Sequence, residues 1–134
     1  MKLIGHTNWV IPGLGVEDDV RDVIVQRAFF RGKDKIELSC KYNDGVYSVS
    51  LKRTLGSCFE GQFKGISTGT GISAGTASAK LYSNQDGYLL FGKWIENEWE
   101  QIWWVTLKEV DRFPDEVRRK ATNSTEKKRG GSSL

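Results

Sequence analysis

Few residues in this chain could do chemistry, and they lie far apart in the sequence. There is one histidine, His6, and there are two cysteines, Cys40 and Cys58. A metal site needs several such ligands at short spacing, and an activated nucleophile needs a base beside it. His6 has no second histidine and no cysteine near it in the sequence. We therefore predict that His6 has no catalytic role and that the chain has no metal site and no cofactor.

A group of acids offers the other candidate chemistry. Glu96, Glu98 and Glu100 lie at alternate positions, and paired carboxylates can act as general acid and base. That chemistry needs a desolvated cleft in which the two carboxyl pKa values are driven apart. Alternating acids beside a turn are more typical of a solvated strand edge. We therefore predict that the protein is not an enzyme.

The segment from Gly65 to Gly75 is small, polar and glycine-rich, and its Gly69-Thr70-Gly71 looks like the start of a phosphate-binding loop. Such a loop ends in Gly-Lys-Ser/Thr and leads into a helix. The next lysine here is Lys80, and the residues around it alternate as in a strand. We predict a wide, mobile connection, with a flap over a pocket as the alternative.

Length and charge indicate one folded domain with a basic tail. The chain has 134 residues, of which 28% are charged and 38% hydrophobic, and its net charge is +3. Residues 118–129 hold six basic side chains against one acid, Glu126. We predict a single β domain over residues 1–113 and a disordered, polar, basic tail over residues 114–134. Without the tail the body is close to neutral, which argues against a nucleic-acid partner.

The N-terminal residues contain no long apolar run and reach acids by Glu17. This pattern is unlike a secretory signal, and no apolar stretch has the length of a membrane span. We therefore expect a cytoplasmic protein without a membrane partner, in which both cysteines are free thiols.

The stretch from Gly87 to Val110 holds four of the five tryptophans and predicts a β-hairpin. A polar turn at Glu96-Asn97-Glu98 separates two alternating runs, and aromatic and β-branched residues suit a pleated sheet. An amphipathic helix is the alternative, because Trp99, Ile102, Trp103 and Leu107 also recur at helical spacing. The glycines of the first run favour the strands. One face of the first strand carries Tyr88, Leu90, Gly92 and Trp94, and one face of the second carries Trp99, Trp103, Val105 and Leu107; which face of each strand points inward is left open.

Six further segments predict strands, separated by turns such as Asn43-Asp44-Gly45 and Asn84-Gln85-Asp86-Gly87. The second is the most ambiguous, because acids before an apolar run and Gly32 after it would also suit a helix. The predicted strands are Lys2–Ile11, Asp22–Arg31, Ile36–Tyr42, Tyr47–Leu51, Cys58–Gly65 and Thr76–Ser83.

Eight strands joined by short turns predict an all-β fold, an antiparallel up-and-down meander. An open sheet of this kind would leave two exposed edges, whereas closure removes them. We predict a small closed barrel of about eight strands, whose interior either is filled by side chains or holds one small ligand. A strongly curled open sheet and a β-sandwich are the alternatives.

This layout resembles the calycins, the lipocalin, fatty-acid-binding and avidin-like eight-stranded barrels, over residues 36–113. The segment from Trp103 to Phe113 is similar to the avidin-like closing pattern Trp-x-x-Thr-Leu-x-x-x-Asp-x-Phe. The N-terminal Gly-Thr-Trp signature has a counterpart only in Gly5-His6-Thr7-Asn8-Trp9, which contains extra residues. The resemblance implies non-covalent capture of a small molecule, and biotin binding is not carried over.

We therefore expect a small-ligand-binding barrel with an aromatic-lined interior and polar contacts placed among the rings. The candidate ligand-binding residues are Tyr42, Tyr47, Ser48, Ser50, Lys93, Trp94, Trp99 and Trp103.

Two other functions compete with ligand binding. An exposed tryptophan hairpin could anchor a protein partner or a second copy of the chain. Alternatively, single-stranded nucleic acid could stack its bases on Trp94 or Trp99. The acids at positions 96, 98 and 100 surround these rings and disfavour a polyanion.

Overall fold

The fold is given by a computed structural model that describes residues 2–11, 19–42, 45–67 and 71–114, with the backbone alone for residues 11, 19–21 and 42. It contains eight β-strands that follow one another around the molecule. They are β1 (Lys2–Ile11), β2 (Asp19–Arg31), β3 (Lys35–Tyr42), β4 (Gly45–Leu55), β5 (Cys58–Ser67), β6 (Gly71–Ser83), β7 (Tyr88–Glu96) and β8 (Trp99–Val110).

The strands close into an antiparallel barrel. Each strand pairs with its neighbours in sequence, and β1 also pairs with β8, from Lys2 opposite Val110 to Val10 opposite Ile102. This last pairing removes both edges that an open meander would expose. The predicted all-β barrel is confirmed, and the open sheet and the sandwich are excluded.

The tryptophan-rich hairpin forms as predicted, with β7 and β8 joined at Asn97 and Glu98. Both residues have positive φ, 52° and 69°. Two consecutive left-handed residues make the turn whose twist matches that of the flanking strands. Asparagine accepts this conformation more readily than glutamate, because its short polar side chain bonds locally. The local sequence thus sets the register of the hairpin.

The ambiguous second segment is a strand, longer than predicted at its start. Its pairing with β3 shifts between Val25 and Arg27, which marks a β-bulge. Before the bulge Val23 and Val25 point inward, two residues apart. Because of the extra residue, the next inward side chain is Ala28, three residues after Val25. A helical face would need spacings of three and four, whereas the buried residues before the bulge alternate.

The prediction of a wide connection from Gly65 to Gly75 is wrong for most of that segment. β5 continues to Ser67 and β6 begins at Gly71, while residues 68–70 lie outside the described part. The glycines make room for rings inside the barrel. A Cβ at Gly65 would lie 2.3 Å from the ring of Tyr47, and one at Gly75 would lie 2.6 Å from the ring of Phe63. Small residues in these strands therefore reflect packing.

The interior is apolar and continuous along the barrel. Inward side chains from all eight strands form one cluster, in which the large aliphatic residues Leu3, Ile36, Leu51 and Leu90 are fully buried. The side chains that point outward alternate with them and are mostly exposed, because successive side chains of a β-strand point to opposite faces.

The segment after β8 packs against the barrel through Phe113, which is 1% exposed. Its ring meets Phe29 edge-on at 5.2 Å and lies 4.7 Å from the Arg27 guanidinium and 5.3 Å from the Lys2 ammonium. Beyond Pro114 the predicted disordered tail lies outside the described residues. Within the described ranges, no helix is long and apolar enough to cross a membrane.

Candidate functional site

Five aromatic rings gather inside one end of the barrel. We call this the aromatic end; it is the end at which β1 joins β2, β3 joins β4, β5 joins β6 and β7 joins β8. Each ring lies two to four residues from the end of its strand, which places all of them at a similar depth. The rings belong to Trp9, Tyr47, Phe63, Trp94 and Trp103.

Trp94 is the centre of this cluster. Its ring stacks on Phe63 with the centroids 3.7 Å apart and the planes 17° from parallel. Trp9 meets it edge-on at 5.1 Å, Trp103 lies 5.3 Å away and Tyr47 lies 6.1 Å away. Each aromatic pair of this kind contributes about 0.5–1.5 kcal/mol beyond burial of its area. The cluster is therefore a rigid aromatic wall.

The three buried indoles differ in how their N–H groups are satisfied. Trp103 Nε1 donates to Thr7 Oγ1 at 2.6 Å, and Trp94 Nε1 donates to Glu96 Oε1 at 3.2 Å. Trp9 Nε1 is buried, and among the described residues it has no hydrogen-bond partner. A buried donor without a partner costs about 1–3 kcal/mol. Among the described residues, Trp9 thus has the one buried indole N–H that a further acceptor could still use.

Three of the predicted site residues lie in this cluster. Trp94 and Trp103 are fully buried inside the barrel, and Tyr47 is partly buried beside them. Trp99 has the same inward register but stands at the tip of the hairpin, where it is 63% exposed. For Tyr42 the backbone pairs with Gly45 at the start of the β3–β4 hairpin, and its side chain lies outside the described part.

The three predicted polar contacts do not line the interior. Ser48 and Ser50 are exposed on the outer face, because they alternate with Tyr47 and Val49, which face inward. Lys93 alternates with Trp94 and also points outward, where its ammonium lies 3.3 Å from the carboxylate of Glu100. Residues one position apart on a strand face opposite sides, so these contacts and the rings could not share one surface.

Sequence reasoning missed Trp9, Phe63 and Glu96 as members of this site. Trp9 and Phe63 sit in strands that were predicted, whereas Glu96 was assigned to the turn and is the last residue of β7. The proximity of Trp9 and Phe63 to Trp94 depends on pairings across the closed barrel, with Trp9 opposite Trp103 and Gly92 also opposite Trp103. No local signal in the sequence reports that register, whereas Glu96 meets Trp94 locally, two residues along the same strand.

The chain's one histidine has a carboxylate beside it. His6 Nδ1 lies 3.3 Å from Asp22 Oδ2, and Asn8 Nδ2 donates to Asp22 Oδ1 at 3.0 Å. Both ionisable side chains are more than half exposed on the outer face, where His6 also lines an open groove of about 770 Å³. A pair this well solvated lacks the water-excluded cleft in which acid–base groups work. No cluster of three or more metal-ligating side chains occurs within the described ranges.

The two cysteines differ in exposure, and they are free thiols. Cys58 is exposed, whereas Cys40 is packed in the core. Burial raises the pKa of the Cys40 thiol from 9.0 to about 12. Cys40 is therefore an uncharged apolar packing group at neutral pH.

Comparison of this chain with protein-family models, with curated proteins and with solved structures finds no match.

Proposed function

We propose that this chain is a non-enzymatic, cytoplasmic, calycin-like barrel that binds one small molecule at its aromatic end. The observation that carries the proposal is the buried indole N–H of Trp9, which has no acceptor in the described part of the chain. Buried polar groups are almost always hydrogen-bonded, so this exception calls for an explanation, and ligand sites combine aromatic walls with a few placed polar groups.

The chemistry of the site favours a planar ligand with a hydrogen-bond acceptor. Tyr47 is only partly buried beside Trp9, with ring centroids 6.2 Å apart, and offers an aromatic surface against which a flat molecule can pack. The indole N–H is a donor only, so its partner must be an acceptor such as a ring nitrogen or a carbonyl. Glu96, partly buried beside Trp94, adds negative charge and disfavours an anion. A neutral or cationic heteroaromatic molecule is flat, carries a hydrogen-bond acceptor and has no negative charge, and so it meets all three conditions.

The resemblance to calycins supports the same function. Eight strands enclose an interior that side chains fill or that holds one small ligand, and here the end opposite the aromatic end is filled by aliphatic residues together with Phe59. We place the entry of the ligand at the aromatic end, because the five rings lie within four residues of the strand ends there.

The test is a fluorescence titration of the full chain with a panel of neutral, cationic and anionic heteroaromatic compounds. We expect saturable changes for a neutral or cationic member. Trp9→Phe removes the N–H and keeps an aromatic ring, so it should weaken that binding about tenfold, the equivalent of one hydrogen bond of about 1.4 kcal/mol.

Trp99→Phe is the matched control, since it makes the same substitution at the exposed hairpin tip and should leave the affinity unchanged. The proposal fails if no compound gives saturable binding, or if Trp9→Phe and Trp99→Phe bind equally well.

A further inference from the structure

The outer surface of β7 and β8 is unusually apolar. We call it the β7–β8 outer face and define it by Phe91, Ile95, Ile102 and Trp104, all of which point away from the barrel interior. Phe91 is 48% exposed, Ile95 39% and Ile102 50%. Phe91 and Trp104 are directly opposite each other, with their rings stacked at 6.4 Å. Ile102 pairs with Lys93 and Ile95 pairs with Glu100, so the two isoleucines are diagonal neighbours and the four residues form a patch that this charged pair crosses.

The size of the patch is within the range of a small protein interface. With these exposures the apolar side chains present roughly 300 Å², comparable to the largest apolar patch on a typical monomer, which is often functional. An interface of standard size buries about 800 Å² on each partner, and a little more than half of that is apolar. The β7–β8 outer face with its polar rim therefore suits a small, reversible interface.

The charges on this face are balanced and self-complementary. Lys93 lies between Phe91 and Ile95 along β7, and its ammonium is 3.3 Å from Glu100 on β8. Both side chains remain more than half exposed, so they can also contact a facing surface. A partner with a strongly positive or strongly negative surface would be repelled by one member of this pair. A second copy related by a two-fold axis instead presents a glutamate to each lysine. A two-fold interface pairs residues reciprocally in this way.

We propose that two copies of this chain associate through their β7–β8 outer faces, with Lys93 of each copy facing Glu100 of the other. Phe91, Ile102 and Trp104 form the apolar centre, in keeping with the enrichment of aromatic residues in interface centres. The association is independent of the ligand site, because these residues point outward while the aromatic cluster points inward.

A second exposed apolar row provides a comparison. Val46, Ile66 and Ile72 lie side by side across β4, β5 and β6, and they are 46–68% exposed. This row has no aromatic ring, so it lacks the anchors that dominate most interfaces. It supplies a matched control, since Ile66 and Ile102 are both exposed isoleucines in strand interiors.

The first experiment is sedimentation velocity of the full chain from low to high micromolar concentration. We expect a reversible monomer–dimer equilibrium. Ile102→Glu should weaken dimerisation at least tenfold, because it places a charge in the apolar centre of both copies. Ile66→Glu makes the identical change on the other face and should leave dimerisation unaltered. A chain that stays monomeric throughout, or equal effects of the two variants, would overturn the proposal.

The second experiment isolates the contact between copies. In the Lys93→Glu variant positions 93 and 100 are both acidic, and in the Glu100→Lys variant both are basic. Each variant alone then brings like charges together across the interface and should dimerise at least tenfold more weakly. Mixing the two variants should restore association, since every charge then faces its opposite across the interface.

Neither variant regains the contact within its own chain, so recovery on mixing reports the interface and not folding. Circular dichroism of each variant would establish that the barrel is intact. A mixture that associates no better than its separate components would contradict the two-fold arrangement.

Discussion

Trp103 and Thr7, which are 96 residues apart in the sequence, are joined by a buried hydrogen bond of 2.6 Å across the seam that closes the barrel. Thr7 is on β1 and Trp103 is on β8, the two strands whose pairing completes the ring. Thr7 is 1% exposed and is the buried polar residue of the described core. The Thr7 hydroxyl oxygen therefore satisfies the Trp103 indole N–H where water cannot reach.

Removing the Thr7 hydroxyl should destabilise the barrel. Thr7→Val keeps the shape of the side chain but leaves Trp103 Nε1 buried without its acceptor, which costs about 1–3 kcal/mol of unfolding free energy. Thr7→Ser retains the acceptor and should lose less, chiefly through the missing methyl group. Urea denaturation followed by tryptophan fluorescence measures both. Equal stability of Thr7→Val and the unmodified chain would show that the hydrogen bond is unimportant.

A methyl group at Gly61 should be tolerated much less well than one at Gly56. At Gly61 the new Cβ would lie 1.8 Å from the carbonyl oxygen of Ser50, a backbone atom of the strand that pairs with β5. We expect Gly61→Ala to cost about 3 kcal/mol or to prevent folding. Gly56 has φ +57° with nothing within 4 Å of an added Cβ, so Gly56→Ala should cost about 1 kcal/mol of left-handed strain.

Thermal and urea unfolding of the two alanine variants, measured side by side, checks this difference. A Gly61→Ala variant as stable as Gly56→Ala would mean that β4 and β5 are farther apart than in this structure.

Exposure of the tryptophans should divide their fluorescence into two classes. Trp99 is 63% exposed and Trp104 is partly exposed on the outer face of β8, whereas Trp9, Trp94 and Trp103 are at most 7% exposed. Acrylamide should therefore quench a red-shifted component from Trp99 and Trp104 and leave the three buried indoles protected. Replacing both Trp99 and Trp104 by Phe should remove the quenchable component, and Trp103→Phe should leave it in place. Strong quenching that persists in the double variant would contradict burial of the cluster.

Stability should fall in alkaline solution, in part because of Cys40. Burial raises its thiol pKa from 9.0 to about 12, so the unfolded chain releases this proton at a lower pH than the folded chain does. The contribution to stability is complete below pH 9 and is lost as the pH rises toward 12. For the release of one proton, the free energy of unfolding falls by at most about 1.4 kcal/mol per pH unit.

Cys40→Val should flatten this part of the pH dependence, measured by urea denaturation at a series of alkaline pH values. Cys58→Val is the control, because Cys58 is exposed and its replacement should leave the slope unaltered. Identical slopes for the two variants would exclude a contribution from Cys40.

Much of the architecture was predictable because alternation and turn chemistry are local properties. Tyr88, Leu90, Gly92 and Trp94 were assigned to one face, and in the structure that face points inward. The turn at Asn97 and Glu98 was placed within one residue. The strand through Gly71 was missed, because glycine-rich sequence is typical of connections and the rings that need its small residues come from other strands.

The sequence by itself determined which residues share a face of each strand, where most strands turn, and that the chain is all-β. The tertiary structure alone decided which positions meet: Trp9 beside Trp94, Thr7 beside Trp103, and Lys93 outside the barrel. The physical reason is that the backbone of a single strand sets the alternation of its side chains between two faces. The pairing register, the depth of each side chain in the barrel and the choice of the face that points inward are set only when all eight strands close together.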